Sequence, residues 1–124
     1  MKQQIIASDA PQAIGPYSQG VEANGTMYVS GQLPLDPETG AMPATIEEQA
    51  RQSLCNVMAI LGAAGLSSDD VVKTTILLKD IADFSVVNEV YAGFFSGVCP
   101  ARACYAVADL PKGALIEIEA IAVR

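Results

Sequence analysis

The sequence predicts an α+β fold in which one mixed β-sheet carries two helices on the same face. Apolar, β-branched stretches alternate with two amphipathic helical stretches, which gives the element order β-β-β-α-β-α-β-β. Helices of this length join strands by right-handed crossovers, and these would place both helices on one face of the sheet. The opposite face would stay uncovered within one chain, so association of copies is the simplest expectation.

Length and composition limit the class of protein. The 124 residues suffice for one domain over residues 1–124, and the absence of Trp with 6% aromatic residues predicts a core of Ala, Val, Ile and Leu. The net charge of −7 opposes a nucleic-acid partner, which would need a basic patch. No apolar stretch approaches the ~20 residues of a membrane span, so no membrane partner is expected.

Cysteine and histidine usage bears on compartment and metals. The three cysteines, Cys55, Cys99 and Cys104, form no disulfide framework, and the N-terminus has no apolar run long enough for a signal peptide. Both observations predict a cytoplasmic protein in a reducing compartment. Because the chain has no histidine and no CxxC pair, no metal site is expected.

The first quarter reads as three strands. Lys2 to Ala7 forms a short strand, and a loop over residues 11–18 follows it. Ser18 to Ala23 and Met27 to Gln32 then form a hairpin around the Asn24-Gly25 turn, the strongest short-range hairpin signal.

Tyr17 and the pair Ser30-Gly31 each allow two interpretations. Tyr17 follows Gly15-Pro16 in a shaped loop, where ordinary packing with the hydroxyl in water is the simpler account. Gly31 could let a ligand or another backbone approach and donate its N–H to an anion, or it could belong to a β-bulge. For Ser30-Gly31 the residues alone leave both interpretations open.

The middle of the chain reads as helix, strand and helix. Thr45 and Glu48 match a capping box, and the helix that follows runs to about Ala64, with Gly65 as its C-cap. Val71 to Lys79 is rich in β-branched residues and predicts a central strand.

The second helix is predicted to begin at Asp80 or Asp83 and to extend to about Phe95. Asn88 lies on this helix, one position beside its apolar stripe. Simple surface exposure explains that position without any function.

The last quarter predicts two strands, Ala101 to Ala108 and Leu115 to Val123, that lie side by side after a turn. Arg102 shares a face of the first strand with Cys104, and an arginine in an apolar strand indicates a carboxylate or phosphate that meets its planar fork. The plainer alternative is a cross-strand ion pair of Arg102 with Glu117, contributing roughly 0.2–1 kcal/mol. The pattern alone favours the ion pair.

The same segment resembles the signature of the RidA family, also called the YjgF family. The match consists of PARACYAVADL (100–110), five further residues and IEI (116–118), and it extends to AIGPYSQG (13–20), YVSGQLP (28–34), QARQSLCNVMAIL (49–61) and VVKTTILLKDIADFSVVNEVY (71–91). The resemblance implies a chorismate-mutase-like α+β fold that assembles as a homotrimer with clefts between subunits. It also implies hydrolytic deamination of reactive enamines and imines to 2-keto acids with release of ammonia, a repair of damaged metabolites that needs no cofactor.

The implied substrates are small 2-imino acids and their enamines, such as 2-aminoacrylate, 2-iminopropanoate and 2-iminobutanoate. By the resemblance, Arg102 grips the substrate carboxylate, which suits a bidentate guanidinium in a partly dry cleft. Glu117 matches the family acid near the attacking water and would position that water or act as a general base. Cys104 would place its backbone beside the substrate nitrogen, and without a histidine its thiol is not assigned as a nucleophile.

The remaining residues that the resemblance assigns to the cleft have weaker roles. Tyr17, Ser30 and Gly31 would contribute hydrogen bonds and one wall, and Asn88 matches a position near the cleft. The link over residues 96–99 departs from the family pattern, which commonly has several more residues there, so pocket size and substrate range are open.

Two other functions stay open beside deamination. A non-catalytic trimer, either binding small carboxylates or acting as a chaperone, would use the same clefts and bind ligands through Arg102 without turnover. Family members have also been labelled endoribonucleases and translation inhibitors, and the net charge of −7 gives that function little support.

Overall fold

The structure, a computed structural model, describes residues 1–124 and contains six strands and two α-helices. The elements are β1 (Gln3–Ile5), β2 (Gly20–Ala23), β3 (Thr26–Gln32), α1 (Ile46–Ala63), β4 (Val71–Leu78), α2 (Phe84–Ala92), β5 (Ala101–Ala106) and β6 (Ile116–Val123). The predicted element order and the mixed α+β fold class are confirmed. Neither helix combines the length and the hydropathy that a membrane crossing requires.

The strands form one sheet in the order β1-β2-β3-β6-β4-β5. Only β4 and β5 run parallel, and the crossover through α2 connects them. β4 therefore separates β5 from β6, and the prediction that the two terminal strands are neighbours is wrong. The physical reason is that α2 returns the chain to the end of the sheet where β4 began, so that β5 adds beside β4.

Both helices pack on one face of the sheet, as predicted. Along β6, Ile116 and Ile118 are fully buried on that face, whereas Glu117 projects from the other face. Tyr28 and Tyr105 stand on this second face, each with 50% of its surface exposed. The second face, here called the uncovered face, is therefore partly apolar and has no layer above it.

The core lies between the sheet and the helices. It is a cluster of 22 buried residues, of which all but Met27, Tyr91 and Phe95 are Ala, Val, Ile or Leu. The aliphatic core expected from the composition is thus confirmed.

Local signals set the ends of the helices. Thr45 Oγ1 accepts the Glu48 N–H at 3.2 Å, and Gly65 follows the last turn of α1 with a φ of 75°. The reciprocal half of the predicted capping box is absent, since the Glu48 side chain makes no bond to the backbone of Thr45. The second helix is shorter than predicted: α2 ends at Ala92, and a 3-10 turn over Ile81–Asp83 precedes it.

Buried amide side chains on α1 hold the loops that lead into and out of the sheet. Asn56, 1% exposed, donates from Nδ2 to the carbonyl groups of Leu33 and Leu35 at 3.1 and 3.0 Å. Its Oδ1 accepts a hydrogen bond from Gln52 at 2.9 Å. The loop after β3 is therefore fixed by one side chain that is satisfied on all sides.

Gln49, seven residues before Asn56 on α1, holds two further loop segments. Its Nε2 donates to the Pro43 carbonyl and its Oε1 accepts the Leu115 N–H, both at 2.8 Å. Because Leu115 immediately precedes β6, this bond sets where β6 begins.

Replacing Asn56 with alanine is expected to lower the free energy of unfolding by about 2–4 kcal/mol, because two backbone carbonyl groups lose their buried partner. Urea unfolding at one fixed protein concentration measures the change. Gln52→Ala is the matched control, since it removes an amide from the same helix but leaves the bonds from Asn56 to the loop intact. Equal losses in the two variants would contradict this account.

Candidate active site

The predicted site residues fall into two groups in the structure. Tyr17, Gly31 and Glu117 line a cavity of about 310 Å³, here called the glutamate cavity. Asn88 and Arg102 line a second cavity of about 500 Å³, here called the arginine cavity. The two cavities share no lining residue, so one chain does not bring the predicted residues together.

A β-bulge in β3 forms part of the glutamate cavity. Between Val29 and Gln32 the register with β6 shifts, so that Ser30 and Gly31 together oppose one residue. A Cβ on Gly31 would lie 2.8 Å from Oε2 of Glu117, closer than nonbonded atoms approach. The predicted bulge is present, and the group that Gly31 allows to approach is the Glu117 carboxyl group of the same chain.

Glu117 is a partly buried acid without a counter-charge. Its carboxyl group takes part in neither of the two salt bridges of the chain, Arg51–Glu47 and Arg124–Glu22. Burial raises the pKa of the Glu117 carboxyl, and the nearby charge of Glu119 raises it further. A carboxyl group with a raised pKa can take up and release protons closer to neutral pH.

The loop over residues 11–18 forms the opposite wall of the glutamate cavity, and Gln19 holds it. Gln19 is 5% exposed, accepts the Ala7 N–H at 2.8 Å and donates to the Pro11 carbonyl at 2.7 Å. The loop then turns through a bond from the Tyr17 N–H to the Gly15 carbonyl at 2.8 Å. Tyr17 stays 50% exposed, so packing does not bury the whole side chain.

Ser30 lines neither cavity. Its hydroxyl donates to the Ser18 carbonyl at 2.6 Å, which ties the bulge to the end of the loop over residues 11–18. Within one chain its hydroxyl proton is therefore already engaged.

Arg102 lines the arginine cavity and contacts two aromatic rings of α2. Its guanidinium carbon is 4.9 Å from the centre of the Tyr91 ring and 5.4 Å from that of Phe84. The hydroxyl groups of Tyr91 and Thr74 form a 2.7 Å hydrogen bond, and Thr74 is only 1% exposed. This bond fixes the Tyr91 ring against β4. Cation–π contacts of this kind contribute about 0.5–2 kcal/mol and leave the in-plane N–H groups free to bind an anion.

Cys104 follows Arg102 by two residues and points to the same face of the sheet, as predicted. It packs against the aliphatic core rather than into either cavity. Burial raises the pKa of its thiol, an effect that the Arg102 guanidinium opposes. A thiol with a raised pKa is a poor nucleophile at neutral pH.

Arg102 and Glu117 lie on opposite faces of the sheet. Arg102 points toward α2, on the face with Thr74, its partner in the register of β4 and β5. Glu117 projects from the uncovered face, and its register partner is Leu77. The cross-strand ion pair is thus excluded within one chain.

Sequence reasoning missed several residues that shape the two cavities. Phe84 and Tyr91 lie at helical spacing in the second predicted helix, a pattern that indicates only an apolar face, whereas in the structure both rings also contact the Arg102 guanidinium group. Gln49 and Asn56 lie seven residues apart on the buried face of α1, and polar residues at that spacing beside an apolar stripe were the available signal. Lys112, which lines the glutamate cavity, gave no signal beyond its place in a turn.

Comparisons with known proteins agree with the fold and extend over the whole chain. The sequence model of the family described as Endoribonuclease L-PSP matches residues 7–124. The 2-iminobutanoate/2-iminopropanoate deaminase of Escherichia coli (strain K12) is 53% identical over 127 residues, which covers 100% of this chain and 99% of that protein. The protein of the same name from Mus musculus is 53% identical over 121 residues, covering 97% of this chain and 90% of that protein.

A solved structure gives the same result for the backbone. The crystal structure of E. coli TdcF with bound serine superimposes with a TM-score of 0.96 at 50% sequence identity, and the match covers 98% of each chain. Both the element order and the strand order are therefore those of a known fold.

Replacing Glu117 with glutamine is expected to stabilise the fold at neutral pH. The unfolded chain ionises this group near its ordinary pKa of 4.5, whereas the folded chain holds the proton to higher pH. The wild type therefore loses stability as the pH rises from the ordinary to the raised value, and Glu117→Gln removes that loss.

Urea unfolding at pH 4 and pH 7 tests this prediction. The variant should gain stability over the wild type at pH 7 and little at pH 4, where the carboxyl group is largely protonated in both states. Glu89→Gln, on the exposed side of α2, is the control for loss of one negative charge. A gain that is the same at both pH values would contradict the burial of the charge as its cause.

Proposed function

The chain belongs to the family described as Endoribonuclease L-PSP, also called the RidA or YjgF family, and on this premise we propose that it hydrolyses 2-imino acids to 2-keto acids and ammonia. The observation that carries the proposal is the full-length relationship, at 53% identity, to proteins named 2-iminobutanoate/2-iminopropanoate deaminase. The proposed substrates are 2-iminobutanoate and 2-iminopropanoate, with their enamine forms such as 2-aminoacrylate.

The proposed reaction adds water across the carbon–nitrogen double bond. The water oxygen bonds to the imine carbon as Glu117 takes one water proton, and the imine nitrogen takes up a proton from solvent to give a carbinolamine. Glu117 then returns its proton to this nitrogen, the carbon–nitrogen bond breaks with release of ammonia, and the hydroxyl proton passes to solvent as the ketone forms. Imines hydrolyse readily, so the protein needs only to orient substrate, water and a proton carrier.

Arg102 is proposed to anchor the substrate carboxylate. Its guanidinium carbon lies 4.9 and 5.4 Å from two aromatic ring centres, and a guanidinium group offers two parallel N–H groups for a bidentate pair. Because Arg102 has no salt-bridge partner in the chain, no internal carboxylate competes with the substrate.

Glu117 is proposed to hold the attacking water and to move its proton. The raised pKa of this carboxyl group suits a residue that must accept a proton from water and return it to the leaving nitrogen. Tyr17 and Gly31 line the glutamate cavity with Glu117 and are proposed to form one wall, which Ser30 is proposed to support through its hydrogen bond to Ser18. Asn88 lines the arginine cavity with Arg102, and Cys104 is proposed to contribute its backbone from the same strand.

The opposite placement of Arg102 and Glu117 supports a site built from two copies of the chain. The uncovered face, with the half-exposed rings of Tyr28 and Tyr105, would be buried when copies associate. We propose a homotrimer in which each of three clefts joins the glutamate cavity of one subunit to the arginine cavity of the next. The three cysteines are free, which fits the proposed reducing, cytoplasmic setting.

Removing the Arg102 guanidinium should abolish most turnover. Imine is generated by coupling a threonine or serine dehydratase to its amino acid, and semicarbazide traps whatever escapes hydrolysis. Wild-type protein should accelerate keto-acid release and reduce trapping, and Arg102→Ala should lose roughly 30- to 1000-fold in kcat/KM, as expected when a bound substrate carboxylate loses its charged partner. Arg51→Ala, on the exposed face of α1, is the matched arginine control.

The same assay separates the competing functions. A non-catalytic trimer that binds small carboxylates or acts as a chaperone predicts that wild type has no effect on either imine, although 2-oxobutanoate still binds and needs Arg102. An endoribonuclease predicts RNA binding with a steep salt dependence, which a protein of net charge −7 is poorly suited to provide. Elution of all variants at one size shows that assembly is unchanged.

Mixing two inactive variants tests whether each cleft takes residues from two chains. Arg102→Ala and Glu117→Gln are unfolded together at a 1:1 ratio and refolded to form mixed trimers. Random assembly leaves about one cleft in four with both functional residues, so about a quarter of the wild-type activity should return. If both residues of a site came from one chain, mixing would restore no activity.

A further inference from the structure

Lys112 has a backbone conformation that lysine rarely adopts. Its φ of 59° and ψ of 20° are left-handed, and only one other non-glycine residue of the chain, Asn24 with a φ of 52°, has a positive φ. Asn24 belongs to the Asn24-Gly25 hairpin turn, where asparagine tolerates this conformation well. Lysine has no such advantage, so the strain at position 112 needs a separate reason.

The side chain of Lys112 supplies that reason. Lys112 lines the glutamate cavity together with Tyr17, Gly31 and Glu117. Its ammonium group forms no salt bridge with any carboxylate of the chain. A glycine or an asparagine would close the same turn at lower cost, but neither would present a cation at this cavity.

The charge of the whole protein makes a local cation important. With 14 acids against 7 bases the net charge is −7, and the glutamate cavity contains an acid of its own. A carboxylate-bearing substrate approaching this cavity is repelled by the overall field. An unpaired ammonium group on a residue that lines the cavity opposes that field locally.

We propose that Lys112 is a steering residue that attracts the anionic substrate to the proposed cleft, of which the glutamate cavity forms one side, and that its left-handed backbone is the stability cost of placing the ammonium group there. The inference rests on the proposed function, because it requires an anionic substrate. Lys112 acts here through its field and takes no part in proton transfer. It therefore raises kcat/KM and leaves kcat unchanged.

Capture matters for a substrate of this kind. Imines also hydrolyse in free solution, so the protein is useful only if it binds them before they decay. At low substrate concentration the rate of capture is set by kcat/KM. A steering charge raises kcat/KM and therefore the rate at which the imine is captured.

The test compares Lys112→Asn with Lys112→Arg and with Lys2→Asn in the assembled protein. Lys112→Asn removes the charge and suits the left-handed backbone, Lys112→Arg keeps both charge and strain, and Lys2→Asn removes one charge from a residue that lines neither the glutamate nor the arginine cavity. Turnover of 2-iminobutanoate from coupled threonine dehydratase is measured at ~10 mM and ~300 mM ionic strength, together with thermal unfolding.

Lys112→Asn should lower kcat/KM about three- to tenfold at low salt and less than about twofold at high salt, with kcat unchanged. Its Tm should rise by about 2–5 °C, because the strain is relieved. Lys112→Arg should match the wild type in kcat/KM, its salt dependence and Tm. A lowered Tm, or a lowered kcat, in Lys112→Asn would indicate a structural or chemical role and overturn steering.

The two proposals fail in different ways. If the wild type turns over the imine and Lys112→Asn equals Lys2→Asn at both ionic strengths, steering is overturned and the deaminase proposal stands. If the wild type does not turn over the imine at all, the deaminase proposal fails and steering fails with it.

Discussion

The register of β6 is the constraint on which the rest of the structure depends. β6 lies between β3 and β4, and a shift of one residue would turn Glu117 and Glu119 into the aliphatic core. The start of the strand is fixed twice, since the Leu115 N–H donates to Gln49 and its carbonyl accepts from the Lys79 backbone. Once this register is set, one face of the sheet is committed to packing and the other presents the acid.

The two faces of the sheet carry groups of opposite charge in different surroundings. On the helix face a cation is held by aromatic rings, and the Thr74–Tyr91 hydrogen bond keeps those rings in place. On the uncovered face an acid without a salt bridge lies against Gly31, where a Cβ would be 2.8 Å from the carboxyl oxygen. The Arg102 guanidinium group has no salt bridge and can bind an anion, and the Glu117 carboxyl group has a raised pKa and can carry a proton. The two groups suit different parts of one reaction, but within one chain they lie on opposite faces of the sheet.

Local features of the fold could be predicted from the sequence, and long-range ones could not. The hairpin, the presence of both helices and the places of Thr45 and Gly65 at the two ends of α1 follow from spacing and turn residues that lie close together in the chain. A turn such as the one at Pro111 and Gly113 can join β5 to a strand that pairs with it or to a strand placed elsewhere in the sheet. The sequence therefore did not reveal that β4 lies between β5 and β6. The resemblance to the family correctly indicated the fold. The roles of Arg102 and Glu117 stay predictions, and strand alternation could not reveal their opposite faces once the strand order was wrong.

The position of β5 at the edge of the sheet has a consequence for aggregation. An edge strand offers unpaired N–H and C=O groups on which another chain can add a strand, and natural proteins block this with prolines and inward-pointing charges. Pro100 comes directly before β5, and Arg102 turns its charge toward the helix face within it. The residue best placed to hold a substrate carboxylate thus also protects the free edge, and replacing it with an apolar side chain would remove a barrier against edge-to-edge polymerisation.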